Sequence, residues 1–228
     1  MRMNEIIVIS VGGSLICPDS INIAFLKKFK ETIIKHVEKG KRFVLITGGG
    51  KTARDYQFAA REIGLLDNED LDWLGIHATR INAHLLRTAF QKYAHPKVIN
   101  HPLEKINFKE KILVASGWKP GFSTDYDAVL LAKQFKVKKI INLSNITYVY
   151  DKDPALYPDA KPYKTLDWKH FRNMFSNKWN PGLNVPFDPV ASEEADKLKM
   201  KVFIINGTDL QNLDNLLEEK NFVGTIIS

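Results

Sequence analysis

The stretch KILVASGWKPGFSTDYDAVLLAKQF, Lys111 to Phe135, reads as a strand, a tight loop and a helix. Ile112-Leu113-Val114-Ala115 is apolar without polar alternation, the pattern of a strand buried on both faces of a parallel sheet. Gly117, Pro120 and Gly121 punctuate the loop. From Thr124 onward, Ala128, Leu131, Ala132 and Phe135 fall at helical spacing on one face. Ser123 and Thr124 are natural N-cap residues, and Asp125 and Asp127 put negative charge where the helix dipole favours it. Unpaired N–H groups at a helix start, approached through glycines, suit an anion. An ordinary strand-to-helix connection uses the same residue types, and this loop alone does not separate the two.

The same grammar recurs upstream. Ile6–Val11 is a buried strand running into Gly12-Gly13-Ser14, and Phe43–Thr47 is another running into Gly48-Gly49-Gly50. A helix beginning at Pro18-Asp19-Ser20 is expected after the first, with Ile23, Leu26, Phe29, Ile33 and Val37 on its apolar face. A helix through Ala53, Tyr56, Ala60 and Ile63 follows the second. An acidic break at Asp67–Asp72 precedes a long helix, roughly Leu71 to Tyr93. That helix is apolar on two flanks, so a second subunit or the core could cover the additional flank.

Lys97–Asn100 reads as a short strand and Lys139–Leu143 as a buried one. Tyr157–Pro189 is loop-rich around a short helix at Asp167–Phe175. A helix (Ala191, Ala195, Leu198), a strand (Val202–Ile205), a helix (Leu210–Leu217) and a strand (Phe222–Ile227) close the chain. Strands alternating with helices predict a three-layer αβα sandwich with a mainly parallel central sheet. In such a sheet the loops after strands emerge at one edge, where ligands bind. Three glycine loops meeting there suggest a site for several phosphates.

At 228 residues, 44% hydrophobic and 26% charged, the chain has the composition of a soluble globular protein. The single Cys17 permits neither an internal disulfide nor a cysteine-based zinc site, so a reducing cytoplasm is the expected location. No stretch has the length and apolarity of a membrane span. A net charge of +7 favours anionic partners. The lysines are scattered without interleaved aromatics, so a small anionic molecule is expected rather than nucleic acid.

Gly50-Lys51-Thr52 ends like a Walker A loop, but Leu45 stands where that motif needs its first glycine. Gly48-x-Gly50-x-x-Ala53 fits a relaxed dinucleotide fingerprint, though without an acidic residue closing the next strand, which leaves an NAD-linked oxidoreductase as a secondary reading. The six histidines show no metal-ligand spacing.

Taken in order, Ile9-Ser10-Val11-Gly12-Gly13-Ser14, Gly48-Gly49-Gly50-Lys51-x-Ala53-Arg54, Leu74-Gly75-Ile76-x-Ala78-Thr79-Arg80-x-Asn82-Ala83, Pro120-Gly121-x-Ser123-Thr124-Asp125 and Asn145 with Tyr150-x-x-Asp153-Pro154 resemble the amino acid kinase superfamily, most nearly its archaeal-type uridylate (UMP) kinases. The resemblance spans nearly the whole chain. It implies one domain over 1–228, with an acceptor part of about 1–138 and an ATP part of about 139–228. It further implies transfer of the ATP γ-phosphoryl group to UMP with Mg²⁺, in a homo-oligomer that the family suggests is a hexamer.

By the same resemblance, Gly12, Gly13, Ser14, Gly50, Arg54, Ser144, Asn145, Tyr150 and Asp153 would bind ATP. Gly49, Asp72, Trp118, Lys119, Pro120, Gly121, Phe122, Ser123 and Thr124 would bind UMP. Arg54 and Asp125 would carry catalysis, the aspartate as an organiser of cations. Lys51 would substitute for the lysine that bacterial members carry where Val11 stands. Trp179–Pro189 departs from the family pattern and reads as a lineage-specific lid. Other readings are a family phosphotransferase for a smaller acid or phosphate, and a nucleotide-binding regulator without turnover.

Overall fold

The computed structural model describes residues 5–64, 67–175 and 185–228. In chain order the elements are β1 (Ile6–Val11), α1 (Gly13–Ile16), α2 (Ile23–Glu38), β2 (Arg42–Thr47), α3 (Gly50–Ile63) and α4 (Asn68–Ala89). Then come β3 (Ile112–Ala115), α5 (Thr124–Gln134), β4 (Lys139–Ser144), β5 (Val149–Tyr150), β6 (Pro162–Tyr163), β7 (Thr165–Leu166) and α6 (Trp168–Met174). The chain closes with α7 (Pro189–Lys197), β8 (Lys201–Asn206), α8 (Leu210–Leu217) and β9 (Thr225–Ile227).

Seven strands form one sheet in the order β3-β2-β1-β4-β8-β9-β7. Its pairings are parallel except that of β8 with β9. β5 and β6 form a separate antiparallel pair. Because side chains alternate across a strand, each central strand feeds two cores. Ile9, Val11, Phe43, Leu45, Ile112 and Val114 meet Phe29 and Ile33 of α2, Leu86 of α4 and Leu213 of α8. Val8, Val44, Ile46 and Leu113 meet Val129 and Leu131 of α5, Phe171 of α6 and Ala195 of α7 on the other face. This is the three-layer arrangement expected from the alternation of apolar runs.

The boundaries differ where side chains claim the backbone. α2 starts at Ile23, not at Pro18, because Asn22 caps it by accepting from the Phe25 N–H. The acidic stretch is no break: Asp67 caps α4 and Glu69 and Asp70 occupy its first turn. Lys97–Asn100 makes only a single bridge, Ile99 to Ala115. The final strand is shortened to Thr225–Ile227, since the Asn212 side chain takes both the N–H and the carbonyl of Val223, each at 2.7 Å. Of the expected lid, residues 179–184 lie outside the described residues.

Away from the glycine loops, α2 and α8 are joined through a buried histidine. His36 Nε2 lies 2.8 Å from Asp214 Oδ1, with Lys35 on the same carboxylate. Burial holds the His36 pKa below its ordinary 6.5, outweighing the opposite pull of Asp214. A histidine held neutral by folding contributes stability above its unfolded pKa and loses it as pH falls below that value. His36→Leu should therefore lose the acid-side trend: between pH 7 and pH 5 the melting temperature of the wild type falls relative to the variant. Parallel curves across that range would contradict the assignment.

Candidate active site

The loops after β1, β2, β3 and β4 open on one cleft of about 630 Å³ at the carboxyl edge of the sheet. The pairing of β1 between β2 and β4 sets Gly12-Gly13-Ser14 between Gly48-Gly49-Gly50 and Ser144-Asn145. The first two loops interlock. A side chain at Gly13 would strike the backbone of Gly48–Gly50, and Gly50 sits at φ +64 with its Cα against Gly13. Asn82 of α4 pins this junction, donating to the carbonyls of Gly48 (2.8 Å) and Gly49 (3.2 Å).

Around this floor stand the N-terminus of α1, the N-terminus of α3 with Arg54 one turn in, and the N-terminus of α5 capped by Ser123. Arg54 Nη1 reaches Ser14 Oγ at 3.4 Å and so bridges the loops after β2 and β1. Helix N-termini, each equivalent to roughly +0.5 charge, make this rim attractive to anions. A second groove of about 750 Å³ opens at the opposite, amino edge of the sheet. It has no glycine loops, and Lys41, Lys138, Lys139 and Lys220 on its rim are bound to carbonyls or carboxylates of the same chain.

Beneath the rim lies a group of carboxylates. Asp125 Oδ1 accepts from Ser10 Oγ (3.0 Å) and Asn142 Nδ2 (3.3 Å), and its Oδ2 accepts from the Asp188 N–H (3.3 Å). Burial, together with the neighbouring charge of Asp188, raises its pKa to about 7. Asp188 caps α7 through Oδ1, and burial raises its pKa as well. Asp127 is raised well above the carboxylate range, again by burial first. Asp127 Oδ1 and Asp188 Oδ2 are buried without a partner among the described residues.

The structure brings together Gly12, Gly13, Ser14, Gly49, Gly50, Arg54, Asp72, Phe122, Ser123, Thr124, Asp125, Ser144 and Asn145 around the cleft. Gly121 stands just behind, its N–H donated to Asp72 Oδ2 at 2.7 Å. Lys51 is not in the cleft: its ammonium is bound to Asp55 one helical turn on, at 2.6 Å. Tyr150 ends β5 and Asp153 lies in the connection between β5 and β6, both outside the cleft lining. Trp118, Lys119 and Pro120 also stay outside, the Lys119 ammonium lying 4.2 Å from the Trp118 ring centre.

The profile of the amino acid kinase family matches residues 5–206. The chain belongs to the amino acid kinase family. Among relatives, it is 38% identical to a uridylate kinase of Thermoplasma volcanium, over 99% of this chain and 98% of that one. It is 35% identical to a uridylate kinase of Staphylothermus marinus, over 99% of both. A crystal structure of uridylate kinase from Archaeoglobus fulgidus superposes with a TM-score of 0.82 at 31% identity, covering 98% of this chain and 100% of that one. UMP kinase of Bacillus anthracis, at 20% identity and a TM-score of 0.80, shares the fold.

Several cleft residues carry no assigned role in the sequence reading, although Ser10 and Thr79 stand in its motifs: Ser10, Asn142, Thr79, Pro186 and, just below, Asp188. Ser10 and Asn142 did carry a signal, since each is a polar residue inside an otherwise apolar strand. Asp188 reads locally as the N-cap of a helix beginning with proline, and its contact with Asp125 joins residues 63 positions apart.

Carboxylates raised by folding stabilise the protein while protonated; that contribution is full near pH 4 and is lost as pH rises through about 7. Asp188→Asn keeps an N-cap acceptor and removes the charge facing Asp125. Its melting temperature should exceed that of the wild type at pH 8 and converge with it at pH 5. A variant less stable at pH 8 would contradict the electrostatic reading.

Proposed function

We propose that this member of the amino acid kinase family transfers the γ-phosphoryl group of ATP to UMP, giving ADP and UDP, with an ATP part of about 139–228 and an acceptor part of about 1–138. The observation that carries the reading is one continuous cleft, lined on one side by Gly12–Ser14, Ser144 and Asn145 and on the other by Gly49, Asp72 and Phe122–Thr124. Two phosphate chains laid along it meet over Gly50 and Arg54. The names of the relatives supply the acceptor.

Phosphoryl transfer needs the attacking oxygen and the leaving oxygen in line, and needs charge neutralised on the transferring group. A phosphate oxygen of UMP attacks the γ-phosphorus as the bond to the β–γ bridging oxygen breaks, and ADP departs with that electron pair. The N–H groups at the starts of α1 and α3 face the donor phosphates, those at the start of α5 face the acceptor, and Arg54 spans the junction. An acceptor phosphate oxygen needs no general base near neutral pH, so Asp125 serves as an organiser of positive charge.

An Mg²⁺ ion brought with ATP belongs to this proposal, and Asp125 is the carboxylate of the buried group that lines the cleft. Asp125 would hold it together with the nucleotide's phosphates. When bound, it supplies charge neutralisation on the phosphates. Tyr150, Asp153, Trp118, Lys119 and Pro120 lie outside the cleft lining and are kept in the proposal on the family resemblance alone.

Trp73, Ile81 and Leu85 are exposed on α4, and Tyr56 and Ile63, seven residues apart and so on one side of the helix, are exposed on its neighbour α3. Large apolar patches of this kind mark protein contacts. A homo-oligomer assembled through this face is part of the proposal. Among the described residues no helix is long and apolar enough to cross a membrane, and Cys17 is a buried free thiol. Both are compatible with the proposed cytoplasmic location.

An acceptor panel with ATP and Mg²⁺ tests the activity. UMP should turn over, and small carboxylate, carbamate and isoprenoid phosphate acceptors should not; turnover of a small acceptor alone would overturn the assignment. Arg54→Ala should lower turnover about 100-fold with the fold intact. Near-normal rates would remove Arg54 from the site. Ile81→Glu should shift the protein to a smaller species in light scattering, and an unchanged mass would exclude this face.

A further inference from the structure

The loop joining β3 to α5 has no regular structure of its own, yet side chains tie its main chain down. The Gly117 N–H donates to Thr79 Oγ1 (2.8 Å), the Trp118 N–H to Asp127 Oδ2 (3.1 Å) and the Gly121 N–H to Asp72 Oδ2 (2.7 Å). The Trp118 carbonyl accepts from Arg80 Nη2 (3.4 Å). Thr79 and Asp72 also line the cleft; Asp127 and Arg80 do not.

These two residues are poor choices for packing alone. Asp127 has no exposed surface on a helix buried from Asp127 to Ala132, and its second oxygen has no partner among the described residues. An apolar side chain of similar size would fill that place without the cost of desolvating a carboxyl group. Arg80 carries a buried Nε without a partner among the described residues, and its guanidinium lies 5.8 Å from the Trp73 ring centre. What the pair shares is Trp118. Its ring is packed at 5.0 Å from His101 and 5.5 Å from Phe122, and Phe122 reaches the cleft.

We propose that Asp127 and Arg80 are positioning residues for the phosphoryl acceptor, gripping the main chain of Trp118 from both sides and so fixing where the loop Gly117–Ser123 holds the acceptor phosphate. The inference rests on the phosphoryl-transfer reading above. Asp127 stands two residues beyond Asp125 on the same helix, so the grip sets the loop against the carboxylate that organises the transfer. Arg80 does the same against α4, which carries Asp72 and pins the glycine junction through Asn82. The acceptor loop is thereby placed relative to the donor loops through side chains that touch neither nucleotide.

The test uses the full chain with Asp127→Leu, Asp127→Asn and Arg80→Met. It reads KM for UMP and for ATP, together with amide hydrogen exchange over 116–123 without nucleotide. Asp127→Leu should exchange faster at this loop and raise the UMP KM about tenfold or more, with the ATP KM within about twofold, since misplacement by about 1 Å carries penalties of up to 100-fold. Asp127→Asn retains an acceptor oxygen for the Trp118 N–H and should restore both readouts to near wild type. Arg80→Met should follow Asp127→Leu in direction. Equal rises in both KM values, or no rescue by asparagine, would reduce Asp127 to a structural role and overturn the proposal. The two failures separate: no wild-type turnover of UMP counts against the activity, while unchanged loop exchange in Asp127→Leu overturns the grip.

Discussion

Two main chains touch where the turn after β1 meets the turn after β2, and the site is built on that contact. Side chains at Gly13 or Gly50 would meet backbone of the opposite turn, which cannot give way as a flexible side chain could. Parallel pairing of β1 with β2 on one side and β4 on the other forces these turns together. Once the turns are locked, the starts of α1 and α3 face the same space. Arg54 can then span from one to the other, and Asn82 holds both glycine carbonyls from behind.

Charge is arranged in two tiers above this junction. The rim presents helix N-termini and Arg54; beneath it Asp125, Asp127 and Asp188 are buried with neutral hydrogen-bond donors on them. A buried carboxylate cluster lowers stability at neutral pH unless a cation or proton joins it. Local stability is given up at the place where charge must be balanced during transfer.

The layers and the cleft were legible because their signals are local. Apolar runs such as Ile112–Ala115 and Phe43–Thr47 announce buried strands, and glycines directly after strands announce close backbone approach. The Lys51 ammonium turns to Asp55 for a reason also present in the chain: Asp55 lies four residues on, and on a helix that spacing makes an ion pair. The long-range contacts had no such signal. Ser10 meets Asp125 across 115 positions, and Asp188 looks like a helix cap until α7 is packed against α5. Boundaries shifted wherever one side chain, Asn22, Asp67 or Asn212, captured backbone groups ahead of the regular pattern.

The central claim is that separate strand-end turns make one site for two nucleotides laid end to end. Titration calorimetry with adenosine and uridine joined 5′ to 5′ through five phosphates tests it most directly. The account predicts one molecule bound per chain, more tightly than either nucleotide alone, and displaced only by competition from both ATP and UMP. Binding no tighter than that of ATP, or displacement by ATP with no effect of UMP, would contradict it.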